Sequence, residues 1–233
     1  MLRPAEARPG RPRAVLDSHL RAAMALFPLS LVLSCSHSTV VRPAPSYDGS
    51  VFGAPLPAAA AVFVDEDGLR REVRLGPAEA GGYGWCQDSR YPVDAGEALG
   101  LSVIGTLERV MDEVHRTATP FDRETMEAGG FDAVIVVRTD TFDAGIAGDP
   151  FVDFRGNAEL TLALSAFTSD GLLFRETVYG SGIHDAGGTT CKGGAEAVGL
   201  AVEMAIENAM TQIGEVIASS HELRSSLAAR EFR

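Results

Sequence analysis

The feature that most constrains this chain is a run of thirteen mostly apolar residues, 22–34, that ends abruptly at Cys35. The run is too short to cross a bilayer as a helix, which takes about 20 residues. Its length and the arginine-rich segment before it are typical of a secretory signal peptide. A buried core helix is the alternative, but Pro28 interrupts the middle of the run. We therefore predict that residues 1–34 are a signal peptide.

The end of this run, Val32-Leu33-Ser34-Cys35, resembles the lipobox of bacterial lipoproteins. The resemblance implies cleavage before Cys35 and acylation of its thiol, which makes outer-membrane lipid a partner of the chain. Two or three acyl chains give a lasting anchor, since each buried methylene group contributes about 0.8 kcal/mol. Ser36 follows the cysteine where lipoproteins held at the inner membrane have aspartate. The implied location is the periplasmic face of the outer membrane.

The chain that remains after cleavage is strongly acidic. The full sequence has a net charge of −12, and residues 1–34 contain five arginines and two acidic residues. Their removal leaves 15 basic and 30 acidic residues, which gives a net charge of −15. Such a surface repels phosphate backbones, so we predict no nucleic-acid partner. A hydrophobic content of 45% indicates a globular domain rather than a disordered chain.

Composition divides the mature chain into three parts. Residues 35–58 are rich in serine, proline and glycine without an apolar period, which predicts a flexible tether. An extended tether of this length, at about 3.1 Å per residue, would hold a domain up to roughly 70 Å from the bilayer. Residues 59–222 carry the apolar periodicity of a single α+β domain, and residues 223–233 are predicted to be a polar tail.

The first half of this domain combines strand and helix patterns. Two extended segments within residues 59–75 flank a Glu-Asp-Gly turn at 66–68, which predicts a β-hairpin. A helix is predicted to begin at an Asp94 N-cap and to continue to about residue 116, with Glu97 completing a capping box. Its apolar face has spacings of three and four residues: Val103, Leu107, Val110, Met111 and Val114.

The second half predicts a short polar helix at 122–130, a strand buried on both faces at 133–137, and a hairpin with its turn at 169–171. A long helix is predicted over 193–220. Its buried stripe is rich in alanine, which lets the helix sit close to a sheet: Val198, Ala201, Val202, Ala205, Ala209, Ile213 and Ile217. This order predicts an α+β fold, in which an antiparallel or mixed sheet of four to five strands carries two long helices on one face.

Over residues 95–218 this pattern is similar to a group of small periplasmic lipoprotein domains. The group shares a fold with the amino-terminal domain of the translocation protein TolB, the curli-secretion lipoprotein and the lipoprotein activators of penicillin-binding proteins. The residues that match the characteristic positions of this group are Gly130, Asp132, Asp170, Gly171 and Phe174. The resemblance implies the α+β fold and an envelope location. A curli-type pore fits poorly, because the only candidate membrane insertion, residues 142–159, is short and glycine-rich.

The glycine-rich stretch at 180–194 lies between a predicted strand and a predicted helix, which is the context of a phosphate loop. However, Gly193 follows Lys192 where such a loop needs serine or threonine to coordinate magnesium. The stretch is therefore predicted to be a glycine connection that caps the last helix. His184-Asp185 is its single histidine–acid pair, and two residues do not make a metal site.

Two function hypotheses follow. Asp140 and Asp143 flank a predicted strand end, where carboxylates usually face solvent. We therefore predict no catalytic residue, no metal and no cofactor, and favour a non-catalytic adaptor or envelope-assembly lipoprotein that binds a protein or cell-wall partner through the open sheet face or the loops at its end. The alternative is a periplasmic hydrolase or metal-dependent enzyme that uses the 180–194 loop with Asp140, Asp143 and His184.

The two remaining cysteines, Cys86 and Cys191, are predicted to form a disulfide. An even number of cysteines in an oxidising periplasm favours pairing. Two helices that pack on the same sheet face after strands of the same direction are parallel, so their N-terminal ends lie at one edge of the sheet. Both cysteines precede such helix starts, within reach of the Cα separation of about 4.4–6.8 Å that a disulfide needs. Two unpaired thiols are the alternative.

Overall fold

The computed structural model describes residues 36–44, 52–75, 86, 88–120, 123–148, 153–188 and 190–230. The predicted signal peptide and Cys35 lie outside these residues, so cleavage and acylation stay predictions. The elements in chain order are β1 (Leu56–Asp65), β2 (Arg70–Arg74), β3 (Arg90–Asp94), α1 (Gly96–Val110), β4 (Met111–Thr117), α2 (Arg123–Gly129), β5 (Ala133–Gly148), β6 (Asp153–Thr168), β7 (Gly171–Gly187), α3 (Lys192–Ser219) and α4 (His221–Arg230).

The main sheet has five strands in the order β4-β1-β5-β6-β7. Strand β1 is parallel to both of its neighbours, whereas β5, β6 and β7 are antiparallel to one another. Strands β2 and β3 form a separate antiparallel pair. The two long helices, α1 and α3, pack into the main core with one face of the sheet. The α+β prediction with a mixed sheet is therefore confirmed. Within the described residues, no helix is both long and apolar enough to span a membrane.

The predicted hairpin of residues 59–75 is wrong. Strand β1 has β4 on one side and β5 on the other, so no edge of it is left for β2. Instead β2 turns away and pairs with β3. The apolar stretch from Ala58 to Val64 carries the reason, because five of its seven side chains are buried and the other two are half-buried, with buried residues on both sides of the strand. Such a run is typical of a central parallel strand rather than of a hairpin arm.

The predicted first helix is too long at its C-terminal end. Helix α1 ends at Val110, and the residues that were expected to continue it form strand β4. Met111 and Val114 extend the helical spacing by chance, since two apolar residues three apart do not distinguish a helix from the start of an edge strand. The N-cap position is held by Ala95, while the Asp94 carboxylate accepts a 3.3 Å hydrogen bond from the Gly96 N–H one residue further on.

Strands β5, β6 and β7 are longer than the sequence indicates. The last pairing of β1 joins Asp65 to Arg138, and β5 continues beyond it to Gly148. Residues 142–159, interpreted above as a short insertion, are the end of β5 and the start of β6, apart from 149–152 outside the described residues. The predicted turn at 169–171 is confirmed, and Gly171 adopts a φ of 122°, which favours glycine.

Helix α3 packs on β6 and β7 with its backbone close to theirs. Its predicted stripe is fully buried. A Cβ atom added at Gly156, Gly180 or Gly182 would overlap the backbone carbonyl oxygens of Ala197, Ala205 or Ala201. Each of these strand glycines therefore lies against an alanine of α3, and the small size of both residues allows the helix to pack close to the strands.

Both ends of the domain extend further than predicted. Residues 36–44, expected to be part of the flexible tether, lie against the folded body, with Val41 and Ala44 packed on the core. Phe52 is also buried, and β1 begins at Leu56. The predicted polar tail includes most of helix α4, whose Leu223 and Leu227 are buried. Isolated apolar residues in polar surroundings give no periodic signal, which is why the sequence did not reveal these contacts.

Candidate binding face of the sheet

The half of the sheet formed by β5, β6 and β7 beyond Arg138 has one covered side and one bare side. Residues of the covered side face α3 and the β2–β3 pair and are mostly buried. Residues of the other side alternate with them and are exposed or half-exposed. We call this second surface the open face. Its members are Thr141, Asp143, Gly145, Ala147, Arg155, Asn157, Glu159, Thr161, Tyr179, Ser181, Ile183 and Asp185.

One end of the open face carries an ion pair between neighbouring strands. Arg155 and Asp185 are directly opposite each other in the β6–β7 register. The Arg155 guanidinium donates two hydrogen bonds, of 2.7 and 2.9 Å, to the two carboxylate oxygens of Asp185. These hydrogen bonds hold the pKa of the Asp185 carboxyl below its usual value. The pair fixes two side chains in one geometry, which gives this end of the face a defined polar pattern.

The centre of the open face places two carboxylates side by side. Asp143 on β5 and Glu159 on β6 are directly opposite in the strand register, and both are exposed. One carboxylate oxygen of Asp143 accepts a 2.9 Å hydrogen bond from the backbone N–H of Ala144. Like charges at directly opposite positions destabilise a sheet. A cationic group of a binding partner would relieve that repulsion.

The edge of the open face carries two large apolar side chains. Tyr179 is 61% exposed and Ile183 is 63% exposed. Tyrosine and aliphatic side chains of this size commonly supply the apolar contacts at the centre of protein interfaces. Single exposed apolar residues are ordinary, but here two of them lie on one strand, on either side of Ser181, which is directly opposite Glu159 of β6. The face therefore combines apolar and acidic contacts.

The outer edge of β7 is occupied by side chains of α3. The Gln212 amide accepts a 3.1 Å hydrogen bond from the Tyr179 N–H and donates one to the Tyr179 carbonyl. Asn208 donates a 2.6 Å hydrogen bond to the Ser181 carbonyl. Two amide side chains thus take the place of a neighbouring strand. This arrangement satisfies backbone groups that an edge strand otherwise leaves unpaired.

The residues of the enzyme alternative do not form one cluster. Residues 180–187, expected to be part of a loop, belong to strand β7. Consecutive strand residues point to opposite sides, so His184 lies on the covered side while Asp185 and Asp143 lie on the open face. Asp140 lies at the irregularity in β5 between Thr139 and Thr141. Within the described part of the chain, no group of three or more metal-ligating side chains occurs.

The glycines that begin α3 are sites of close packing. A Cβ atom at Gly193 would lie 2.9 Å from the Phe154 ring, and one at Gly194 would lie 2.7 Å from Ile146 and from Tyr91. The Gly193 N–H donates to the Thr190 carbonyl at 3.0 Å, and the Gly194 N–H donates to the Cys191 carbonyl at 3.2 Å. Close packing therefore accounts for these two glycines, whereas the predicted connection over 180–194 is wrong for residues 180–187, which belong to β7.

The predicted disulfide between Cys86 and Cys191 is present, with a Cα separation of 5.4 Å. Cys191 holds the N-cap position of α3, and Cys86 lies shortly before β3. Beside it, Tyr91 is fully buried, which raises the pKa of its hydroxyl, and the nearby Ser89 side chain offsets part of that rise. The disulfide thus fastens the β2–β3 pair to α3 on the covered side of the sheet.

The sequence predicted an open sheet face but not the residues that form it, because the predicted strands end too early. The signal was present in residues 154–161, where Phe154, Gly156, Ala158 and Leu160 alternate with Arg155, Asn157, Glu159 and Thr161. Glycine at an inward position weakened this alternation, because glycine has no side chain to count as apolar. In the structure, the α3 backbone occupies the space that a side chain at Gly156 would need.

No protein-family model matches this chain, and no curated protein matches it. Among solved structures, a Xanthomonas campestris protein of the DUF330 family is 16% identical, with 84% of this chain and 99% of that chain covered and a TM-score of 0.43. A putative neuraminyllactose-binding hemagglutinin homologue from Helicobacter pylori is 13% identical, with 77% and 92% covered and a TM-score of 0.41. A PelC dodecamer from Paraburkholderia phytofirmans is 9% identical, with 72% and 93% covered and a TM-score of 0.37. Similarities at this level carry no functional argument.

Proposed function

We propose that this protein is a lipid-anchored adaptor or envelope-assembly lipoprotein on the periplasmic face of the outer membrane. It binds an envelope protein through the open face and performs no catalysis. The lipobox-like Val32-Leu33-Ser34-Cys35 supports the anchor. The single observation that carries the binding role is the open face itself. It is a regular three-stranded surface left exposed, although the opposite side of the same strands is closely packed.

Charge indicates the kind of partner. The mature chain has a net charge of −15, and Asp143 and Glu159 place two carboxylates at the centre of the open face. A basic patch on an envelope protein complements this surface and removes the repulsion between the two side chains. The exposed Tyr179 and Ile183 supply the apolar contact that a basic patch alone would lack.

Site-specific photocrosslinking in the native envelope tests the binding role. A photoreactive residue replaces Ile183 on the open face or, as the matched control, Leu101, which is 46% exposed on α1. We expect a discrete protein adduct from position 183 that is lost when Glu159→Lys reverses the central charge. Adducts from position 101 alone, or an adduct unaffected by Glu159→Lys, would contradict the proposal. Cell-wall fragments in place of a protein would replace the partner class.

The anchor is tested separately. Metabolic labelling with a palmitate analogue should tag the natural chain and leave Cys35→Ala untagged, and the mature chain should begin at Cys35. The same label on Cys35→Ala would show that the lipid, if any, is attached elsewhere. Such a result would remove the basis for the proposed location while leaving the open-face experiment valid.

A further inference from the structure

The residues that directly follow the proposed anchor lie along the body in an extended conformation. We call residues 36–44 the strap. Ser36 forms a parallel backbone bridge with Arg90, and the His37 N–H donates a 2.9 Å hydrogen bond to the Arg90 carbonyl. The His37 ring stacks on the buried Tyr91, with ring centroids 5.7 Å apart. The strap is therefore attached at its very first residue to β3.

Further along, the strap is attached to both long helices. The Arg42 N–H donates a 2.8 Å hydrogen bond to the Glu203 carboxylate of α3. The Ala44 N–H donates a 2.8 Å hydrogen bond to the Ser102 hydroxyl of α1. Because the contacts pass from β3 to α3 and then to α1, the strap crosses the outer side of the layer that covers the sheet. It lies on the side opposite the open face.

The packing of the strap depends on a glycine of α3. A Cβ atom at Gly199 would lie 2.7 Å from the Val40 carbonyl oxygen and 3.3 Å from Thr39. The strap residues alternate between half-buried and exposed from Ser36 to Arg42, as in a strand that is covered on one side. The backbone of the strap thus fits against the helix at a position where a side chain would displace it.

We propose that the strap stays docked in the anchored protein, so that the lipid surface lies against the helix side of the body and the open face points away from it. This inference rests on the proposed acylation of Cys35. One peptide step of about 3.8 Å would then separate the anchor from the docked Ser36, instead of a tether of up to roughly 70 Å. The helix layer and the sheet between the strap and the open face add about 20 Å. The open face is thereby presented to periplasmic proteins.

The chain offers a single-site reporter for this orientation. Lys192 is its one lysine, is exposed, and lines a groove of about 470 Å³ together with the strap residues Ser38, Val40 and Arg42. An amine-reactive fluorophore on Lys192 therefore reports on the helix side. In a Lys192→Arg background, Ile183→Lys moves the same fluorophore to the open face. Lys192→Arg alone measures any labelling of the α-amine.

The experiment measures energy transfer to a headgroup-labelled acceptor in vesicles of phosphatidylethanolamine and phosphatidylglycerol that carry the full-length acylated protein. We expect transfer from position 192 to exceed transfer from position 183 severalfold. Gly199→Leu, which displaces the strap, should lower transfer at position 192 and abolish the difference. Gly105→Leu is the matched control, because a Cβ atom there meets nothing within 4 Å. Equal transfer from the two fluorophore positions in chains that retain Gly199 would overturn the inference.

Flotation with the vesicles separates this outcome from failure of the anchor. Protein that floats but shows equal transfer is acylated and undocked, which overturns the orientation and leaves the proposed function in place. Protein that does not float overturns the anchor and this inference, while the binding role of the open face keeps its own test. Docking is read independently by hydrogen exchange at Arg42 and Ala44 in full-length Cys35→Ala. Gly199→Leu should accelerate this exchange by roughly tenfold or more, which corresponds to about 1.4 kcal/mol. Unchanged exchange would overturn the docked strap.

Discussion

The two sides of strands β5–β7 are built from alternate residues of the same segments, yet they differ in almost every property. The covered side uses glycine and apolar residues, and α3 approaches so closely that Gly156, Gly180 and Gly182 cannot carry a side chain. The open face uses charged, polar and exposed apolar residues. Residues that stabilise the fold and residues that are free to bind a partner therefore alternate along the same strands. Changes on the covered side should strongly destabilise the protein, and changes on the open face should affect binding with little loss of stability.

Loss of the disulfide should have the largest effect on the covered side. Cys86 and Cys191 are 105 residues apart, and closing a loop of about 100 residues stabilises a fold by up to about 4.7 kcal/mol in the chain-entropy model. The Cys86→Ser/Cys191→Ser chain should therefore unfold at much lower urea concentration. A thiol assay on the delipidated, denatured and unreduced natural protein should find neither thiol. Two titratable thiols would show that the disulfide is absent and does not connect the β2–β3 pair to α3.

Truncating one isoleucine on each side compares the two surfaces directly. Ile213 of α3 is fully buried, and Ile213→Ala should cost about 2–5 kcal/mol of unfolding free energy. Ile183 is 63% exposed, and Ile183→Ala should change stability by less than about 0.5 kcal/mol. Urea denaturation measures both values. Partner crosslinking from a photoreactive residue at Tyr179 should fall only in the Ile183 variant. A large loss of stability in Ile183→Ala would contradict the separation of stabilising and binding residues between the two sides.

Adding one methyl group tests the close approach of α3. Gly180→Ala places a Cβ atom against the Ala205 carbonyl oxygen, and such overpacking should cost about 1–3 kcal/mol. Gly145→Ala on the open face meets the Asn157 side chain, which is free to rotate toward solvent, so its cost should be smaller. Thermal unfolding of the two variants under the same conditions gives the difference. Equal costs would show that α3 shifts readily on the sheet.

The Arg155–Asp185 ion pair should give the smallest effect. The pKa of the Asp185 carboxyl is lowered in the folded state. Its ionised form therefore stabilises the fold above the unfolded pKa of about 3.9. That contribution is lost as the pH falls through the folded-state pKa. The pair is exposed, so the effect is small and screened by salt. Asp185→Asn should therefore be slightly less stable than the natural chain at neutral pH and equal to it in strong acid. A difference that grows in acid would contradict this sign.

Much of the fold was predictable because it depends on local pattern. The long alanine-rich stripe of α3 and the Asp-Gly turn before β7 each carry a strong signal over a few residues. Of the residues at the characteristic positions, Gly130 has a local role, whereas Asp132 contacts a residue 73 positions away. Gly130 adopts a φ of 70°, and the Asp132 carboxylate accepts a 3.0 Å hydrogen bond from the Ala59 N–H at the start of β1.

The rest was not predictable because it depends on partners distant in sequence. The apolar run of β1 is compatible with a central strand, but nothing within residues 59–75 identifies β4 and β5 as its neighbours. The strap has no apolar period, and its contacts with Glu203 and Ser102 lie 161 and 58 residues away. Helix α4 did carry a local signal, since the Ser220 hydroxyl accepts a 3.2 Å hydrogen bond from the Leu223 N–H as a serine cap does.

The amide side chains along β7 limit how many copies of this protein strand pairing could join. Gln212 and Asn208 already occupy backbone groups of that edge, so a strand from another molecule would first have to displace them. The opposite edge strand of the sheet is β4. A sheet with one blocked edge can pair with a strand of only one other molecule. Two molecules that met through β4 would complete each other and stop, whereas fibre growth requires two open ends on every unit.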